Sequence, residues 1–132
     1  TIDRRVTDYR HHNQSGGDRI MDIKELQVAS HAIAVSKGWW DEDRNVGELL
    51  ALIHSEVSEA LEEWRDNHPA TEIRWEENDQ YYKPIGFAIE LADVLIRVAD
   101  LAESVGIDLN EALKVKSAYN ATRPWRHGGK LA

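Results

Sequence analysis

Two helical runs, the most apolar in the chain, each carry a pair of acids three residues apart. Leu49 to Glu63 reads Leu-Leu-Ala-Leu-Ile-His-Ser-Glu-Val-Ser-Glu-Ala-Leu-Glu-Glu and holds Glu56 and Glu59. Ile89 to Arg97 reads Ile-Glu-Leu-Ala-Asp-Val-Leu-Ile-Arg and holds Glu90 and Asp93. Residues three apart on a helix share a face, and two like charges there cost a few tenths of a kcal/mol. A single Glu-x-x-Glu reads first as a solvated helix surface. Two such pairs set into apolar arcs call for a common cause, and a shared divalent cation supplies one.

The helices that carry these pairs can be bounded from the sequence. Asp22 followed by Glu25 is a capping-box pattern; Ile23, Leu26, Val28, Ala29, Ile33, Ala34 and Val35 follow at helical spacing, and Gly38 ends this first helix. After Trp39-Trp40 and a charged link, the second helix is expected from about Val46 to Asp66, where Asn67-His68-Pro69 stops it. On its wheel Leu49, Leu52, Ile53, Val57, Ala60, Leu61 and Trp64 fill one arc; Glu56 and Glu63 fall inside it and Glu59 sits at its edge. His68 to Lys83 is a polar connection too long for a tight turn, read as a flap or as holding a short element of its own. Pro84 suits the first turn of a third helix that reaches about Val105 and stops at Gly106. That helix is apolar around most of its girdle, so it belongs at the centre of a bundle or in a subunit interface. Asp108 with Glu111 caps a fourth helix, which Pro124 ends.

The expectation is therefore one all-α four-helix domain over residues 21–132. Residues 1–20, with His11-His12 and Gly16-Gly17 and no helical period, read as a flexible leader or an expression remnant. The 132-residue length suits a single domain able to bury roughly two thirds of its unfolded surface. The chain has no cysteine, which excludes disulfides and thiolate metal sites. No apolar run approaches the ~18 residues of a membrane span, so no membrane association is expected and a cytoplasmic location is the default. A net charge of −8 argues against a nucleic-acid polymer as partner. The charge is uneven: no acid follows Glu111, while Lys114, Lys116, Arg123, Arg126 and Lys130 do. A cationic end of this kind closes on its own acidic helices or receives a phosphate beside a metal.

If the second and third helices form an antiparallel pair, Glu59 and Glu90 lie about 9–12 Å from the connection at ~1.5 Å per residue. Glu56 and Asp93 lie one turn deeper. The four acids are level, and four carboxylates converging among apolar helices cannot all stay ionised without cations. Oxygen-only ligands favour Mg²⁺ or Mn²⁺ over zinc. A di-iron bundle would use Glu-x-x-His on two helices, and that motif does not occur.

At these residues the chain resembles the MazG-like all-α nucleoside triphosphate pyrophosphohydrolases, a group that includes the dimeric dUTPases. The resemblance lies in Glu56-x-x-Glu59 followed by Glu90-x-x-Asp93, in Lys83-Pro-Ile-Gly-Phe-Ala-Ile-Glu-Leu-Ala-Asp-Val-Leu-Ile-Arg97, in Lys116-x-x-x-Asn120 and in the tail from Arg123 to Lys130. It implies a MazG-like bundle assembled as a dimer or dimer of dimers, with sites at subunit junctions. It implies hydrolysis of a (d)NTP to the (d)NMP and pyrophosphate, in the house-cleaning of unwanted nucleotides. Mg²⁺, with Mn²⁺ as a possible substitute, would be held by Glu56, Glu59, Glu90 and Asp93. Glu56 is the first choice for general base, with Glu59 as the other catalytic acid. Lys116 and Asn120 would contact phosphate oxygens, and Arg123, Arg126 and Lys130 are further candidates for the same task.

For the base, the candidates are Trp39, Trp40 and His54. Each tryptophan reads equally well as a stacking platform and as packing. His54, just outside the apolar arc, reads as a surface histidine ahead of a base reader. Arg97 reads as the neutralising partner of Asp93 or Asp100. Two other functions fit the same residues: a non-catalytic helical oligomer using the acids as a regulatory metal or partner surface, and a phosphohydrolase acting on nucleoside diphosphates or sugar phosphates.

Overall fold

The computed structural model describes residues 21–125. The expected leader, 1–20, and the end of the tail with Arg126 and Lys130 lie outside the described residues. Helix α1 spans Ile23–Ser36, and the Asp22 carboxylate accepts a 2.7 Å hydrogen bond from the Glu25 backbone N–H at its start. Gly38 follows its end at φ +84°, the left-handed region that a residue without Cβ enters freely. Helix α2 spans Val46–Arg65, with Asn45 accepting from the Glu48 N–H. Each such cap stabilises its helix by about 1 kcal/mol.

The long connection is not a bare flap. It holds an antiparallel hairpin, β1 (Arg74–Glu77) and β2 (Tyr82–Ile85), so the expected all-α fold carries a small two-stranded sheet. The register pairs Arg74 with Ile85, Trp75 with Pro84, Glu76 with Lys83 and Glu77 with Tyr82. The Asn78 side chain accepts from the backbone N–H groups of Gln80 and Tyr81 and closes the turn, and the Trp75 and Tyr82 rings stack at 4.8 Å. Pro84, expected in the first turn of the third helix, lies in β2 instead. A ribbon of two strands has only edges, where a residue lacking an N–H is tolerated.

Helix α3, Phe87–Ser104, therefore begins later than expected, with Gly86 as its N-cap. Gly86 has φ +135°, and a Cβ built there would lie 2.6 Å from the Glu72 carbonyl oxygen. Gly86→Ala is thus expected to lower stability by about 2 kcal/mol or more, combining backbone strain with a clash against backbone. Chemical denaturation reads this directly, and an unchanged midpoint would contradict the close approach.

Helix α3 packs between α1 and α2, the central position its apolar girdle predicts. The pairing with α2 is antiparallel: Trp64 near the end of α2 meets Phe87 at the start of α3, ring centroids 5.8 Å apart. Against α1, Lys24 meets Glu103 and His31 meets Asp100, antiparallel again. Ala99 and Ala102 of α3 are buried, as are Leu49 and Ala60 of α2, and the three alanines are small side chains that let helix axes approach. Helix α4, Leu109–Thr122, is capped by Asp108, rests on α1 and has no buried residue.

Much apolar surface stays uncovered. Leu50, Val57, Leu61 and Trp64 form one stripe on α2, each about half exposed or more. Leu91 and Leu95 continue the Phe87 line on α3 in the same condition. The Trp64–Phe87 contact joins the two stripes into one face. Among the described residues, no helix is long and apolar enough to cross a membrane.

Candidate active site

The fixed rise of two antiparallel helices brings the acids level. Carboxylate oxygens of Glu56, Glu90 and Asp93 lie within 4.8 Å of one another. Glu59, one turn along α2, is close enough to raise the Glu90 carboxyl. Glu56 is buried, Glu90 and Asp93 are partly so, and Glu59 is exposed. The cluster thus grades from the helix interface towards solvent.

Its electrostatics follow from that placement. Burial first, then the neighbouring Glu59 carboxyl and the charges of Asp93 and Glu56, push the Glu90 carboxyl up to about 7. Burial also raises Asp93, with Glu56 adding to the effect and Arg97 and Lys83 opposing it. The Arg97 guanidinium donates from Nε to Glu56 Oε1. This corrects the expected pairing of Arg97 with Asp93 or Asp100: one turn from Asp93, it reaches across to the facing helix. The donor set fits a hard divalent cation. It is oxygen-only, it is drawn from two rigid helices, and its mutual repulsion is what such a charge would relieve.

The Glu90 shift has a measurable consequence. A carboxyl whose folded value is raised binds more protons folded than unfolded between the two values, so stability falls as pH rises through that window. In metal-free protein the contribution is full below pH 4.5 and is lost as pH passes about 7. Denaturation at a series of pH values is expected to show this decline in wild type and a weaker one in Glu90→Gln. Saturating Mg²⁺ at neutral pH is expected to reverse it, by about 2.7 kcal/mol at 100 times Kd. Identical pH profiles for the two proteins would contradict the burial of Glu90 among acids.

Two cavities flank the cluster. The first, about 290 Å³, is lined by Glu56, Asp93 and Asp100 together with Lys37, Trp39, Arg44 and Arg97. The second, about 390 Å³, lies under the hairpin, with Glu59 and Glu90 beside Glu76 and Lys83. The hairpin is fastened there by Glu63, which accepts from Arg74 Nη2 at 2.7 Å and contacts His68 Nδ1 at 2.7 Å. The Arg74 hydrogen bond outweighs burial and holds the Glu63 carboxyl below the usual range.

The predicted residues separate into those gathered here and those elsewhere. Glu56, Glu59, Glu90, Asp93 and Trp39 border these cavities. Trp40 is held behind them: its Nε1–H donates to Asp100 at 2.9 Å and its ring meets the edge of His31 at 5.3 Å. His54 is exposed on α2 and lines neither cavity. Lys116 and Asn120 are exposed on α4, where Lys116 lies over the Tyr119 ring beside a separate open groove. Arg123 caps the end of α4 and also lies over Tyr119. Sequence reasoning passed over Arg44, Asp100 and Lys83 as site residues. Arg44 was hidden in a charged link and Asp100 in the polar stripe of α3, while Lys83 opened the stretch quoted above for its resemblance.

One curated relative, a dATP/dGTP diphosphohydrolase of Cyanophage S-2L, is 31% identical over 83 residues. The matched region is 63% of this chain, and the chain spans 61% of the relative's length. No protein-family profile matches the chain, and no solved structure matches it.

Proposed function

We propose that this chain is a divalent-metal-dependent nucleoside triphosphate pyrophosphohydrolase, cutting a (d)NTP to the (d)NMP and pyrophosphate. The carrying observation is the convergence of Glu56, Glu90 and Asp93, two of which, Glu56 and Asp93, line a cavity that also holds Trp39. Likeness to a protein named for dATP and dGTP supports the same reading and makes these the first substrates to try.

Glu56, Glu59, Glu90 and Asp93 would hold Mg²⁺, or Mn²⁺ in its place. A cation bound there supplies Lewis-acid charge to phosphate oxygens and lowers the pKa of a coordinated water. Glu56 is fixed by Arg97, so it serves as a ligand ahead of the base first expected. Glu59 is exposed, and no cation of the described residues lies within ion-pair distance of it. It takes the proton as water oxygen bonds to the α-phosphorus and the bond to the β-phosphate bridging oxygen breaks. Lys83, beside Glu59 and Glu90, offsets charge on the leaving pyrophosphate. The nucleoside lies in the first cavity against Trp39.

The exposed apolar face on α2 and α3 is the contact with a second copy, so the protein is at least a dimer. Lys116, Asn120 and Arg123 do not border their own chain's cavity and would contact phosphate only across such an assembly. Sedimentation of a monomeric mass would overturn this part. For the reaction, each dNTP is incubated with Mg²⁺ and the products are identified. Pyrophosphate with the monophosphate is the expected outcome. Orthophosphate alone would move the activity to another phosphohydrolase class. No release from any nucleotide at high protein concentration would favour the non-catalytic oligomer.

A further inference from the structure

In the first cavity, a carboxylate outside the acid cluster and an arginine outside any ion pair face one space. At about 290 Å³ it is at the lower end of small-molecule sites, which run from ~300 Å³, and suits a nucleoside rather than a whole triphosphate. Asp100 lies two turns beyond Asp93 on the same face of α3, roughly 10 Å along the axis. A phosphate at Asp93 therefore puts the base, across the sugar, beside Asp100. This rests on the nucleotide reading above.

The two groups are already positioned. Asp100 Oδ1 is engaged by His31 Nδ1 at 2.8 Å and by Trp40 Nε1 at 2.9 Å; Oδ2 has only a longer 3.3 Å contact with that same indole N–H. So the carboxylate is held in orientation while Oδ2 keeps lone pairs for a ligand. Arg44 lies among Asp41, Glu42, Asp43 and Glu48, yet no carboxylate of the described residues is within ion-pair distance. Its guanidinium instead sits over the rings of Trp39, at 5.6 Å, and Trp40, at 5.2 Å. A guanidinium lying over an indole keeps its N–H groups at its edge, free to donate to a ligand in the cavity.

We infer that this cavity selects 6-oxopurines, guanine or hypoxanthine, with Arg44 donating to O6 and N7 and Asp100 Oδ2 accepting from N1–H. Arginine's fork matches the two neighbouring acceptors of guanine. Adenine turns its N6 amino group towards the same fork, donor against donor, and has no N1–H for Asp100. Pyrimidines lack N7.

The test is tryptophan-fluorescence titration of the intact protein with dGMP, dIMP, dAMP and dTMP in Mg²⁺. The expected result is binding of dGMP and dIMP roughly 10- to 100-fold tighter than dAMP, the discrimination one bidentate pair gives. Arg44→Gln is expected to erase or reverse that preference, because glutamine pairs with adenine N6 and N7. A residue that merely packed there would weaken all four ligands together. Asp100→Asn gives a second reading, but Asp100 also holds Trp40 and His31, so Arg44→Gln carries the decision. Equal affinity for dGMP and dAMP, or an unchanged preference in Arg44→Gln, would overturn the inference. Monophosphates need no turnover: base preference without pyrophosphate release from any dNTP would sink the proposed reaction alone, and pyrophosphate release without base preference would sink this inference alone.

Discussion

Asp93→Ala is expected to abolish pyrophosphate release while the helices remain folded. Losing an outer partner of a metal ligand typically costs 10–100-fold, and Asp93 is proposed as a direct ligand, so the loss should exceed ~100-fold. Glu59→Ala should do the same by removing the proton acceptor. The stability effect runs the other way. Asp93 and Glu59 both raise Glu90 through their charges, so removing either relieves repulsion in the metal-free protein. The variants are expected to be no less stable than wild type without metal, yet to lose most of the stabilisation that Mg²⁺ gives it. Calorimetric scans with and without Mg²⁺ separate these effects. A variant that unfolds while keeping specific activity per folded molecule would remove these acids from the site.

The largest expected stability change lies away from the chemistry, at Gln27. This side chain is wholly buried on α1. Its Nε2 donates to the Ile107 carbonyl at 2.6 Å and to Glu103 at 3.3 Å, and its Oε1 accepts from the Leu109 N–H at 3.0 Å. One amide thus ties α1 to the turn between α3 and α4. Gln27→Leu keeps the volume but leaves a carbonyl and an N–H without their partner inside the protein. Each group left without its partner away from water costs about 1–3 kcal/mol, so the expected loss is about 3 kcal/mol. Urea unfolding should show a lower midpoint with little change in slope. A loss below ~1 kcal/mol would mean that water takes the place of the Gln27 amide at these groups.

The local signals held wherever their cause was local. Asp22 and Asp108 each cap a helix because the accepting oxygen and the donor three residues on lie in one short segment. The hairpin was legible only as a short element within the long connection, because strands of four residues give too short a pattern, and Pro84 fits a helix start as well as a strand edge.

The sequence by itself determined the helices, their order and the levelness of the two acid pairs, since a constant rise per residue converts spacing into depth. Only the tertiary structure decided the partners. Arg97 takes Glu56 rather than an acid of its own helix, Trp40 and His31 fix Asp100, and Arg44 ignores the acids around it to lie over two indoles. It also held Lys116 and Asn120 apart from the acids, because α4 rests on α1 and they are exposed on it. Spacing along a helix fixes which face a side chain is on. What that face meets depends on how helices distant in sequence pack, and that is set by the shape and charge of all the facing residues together.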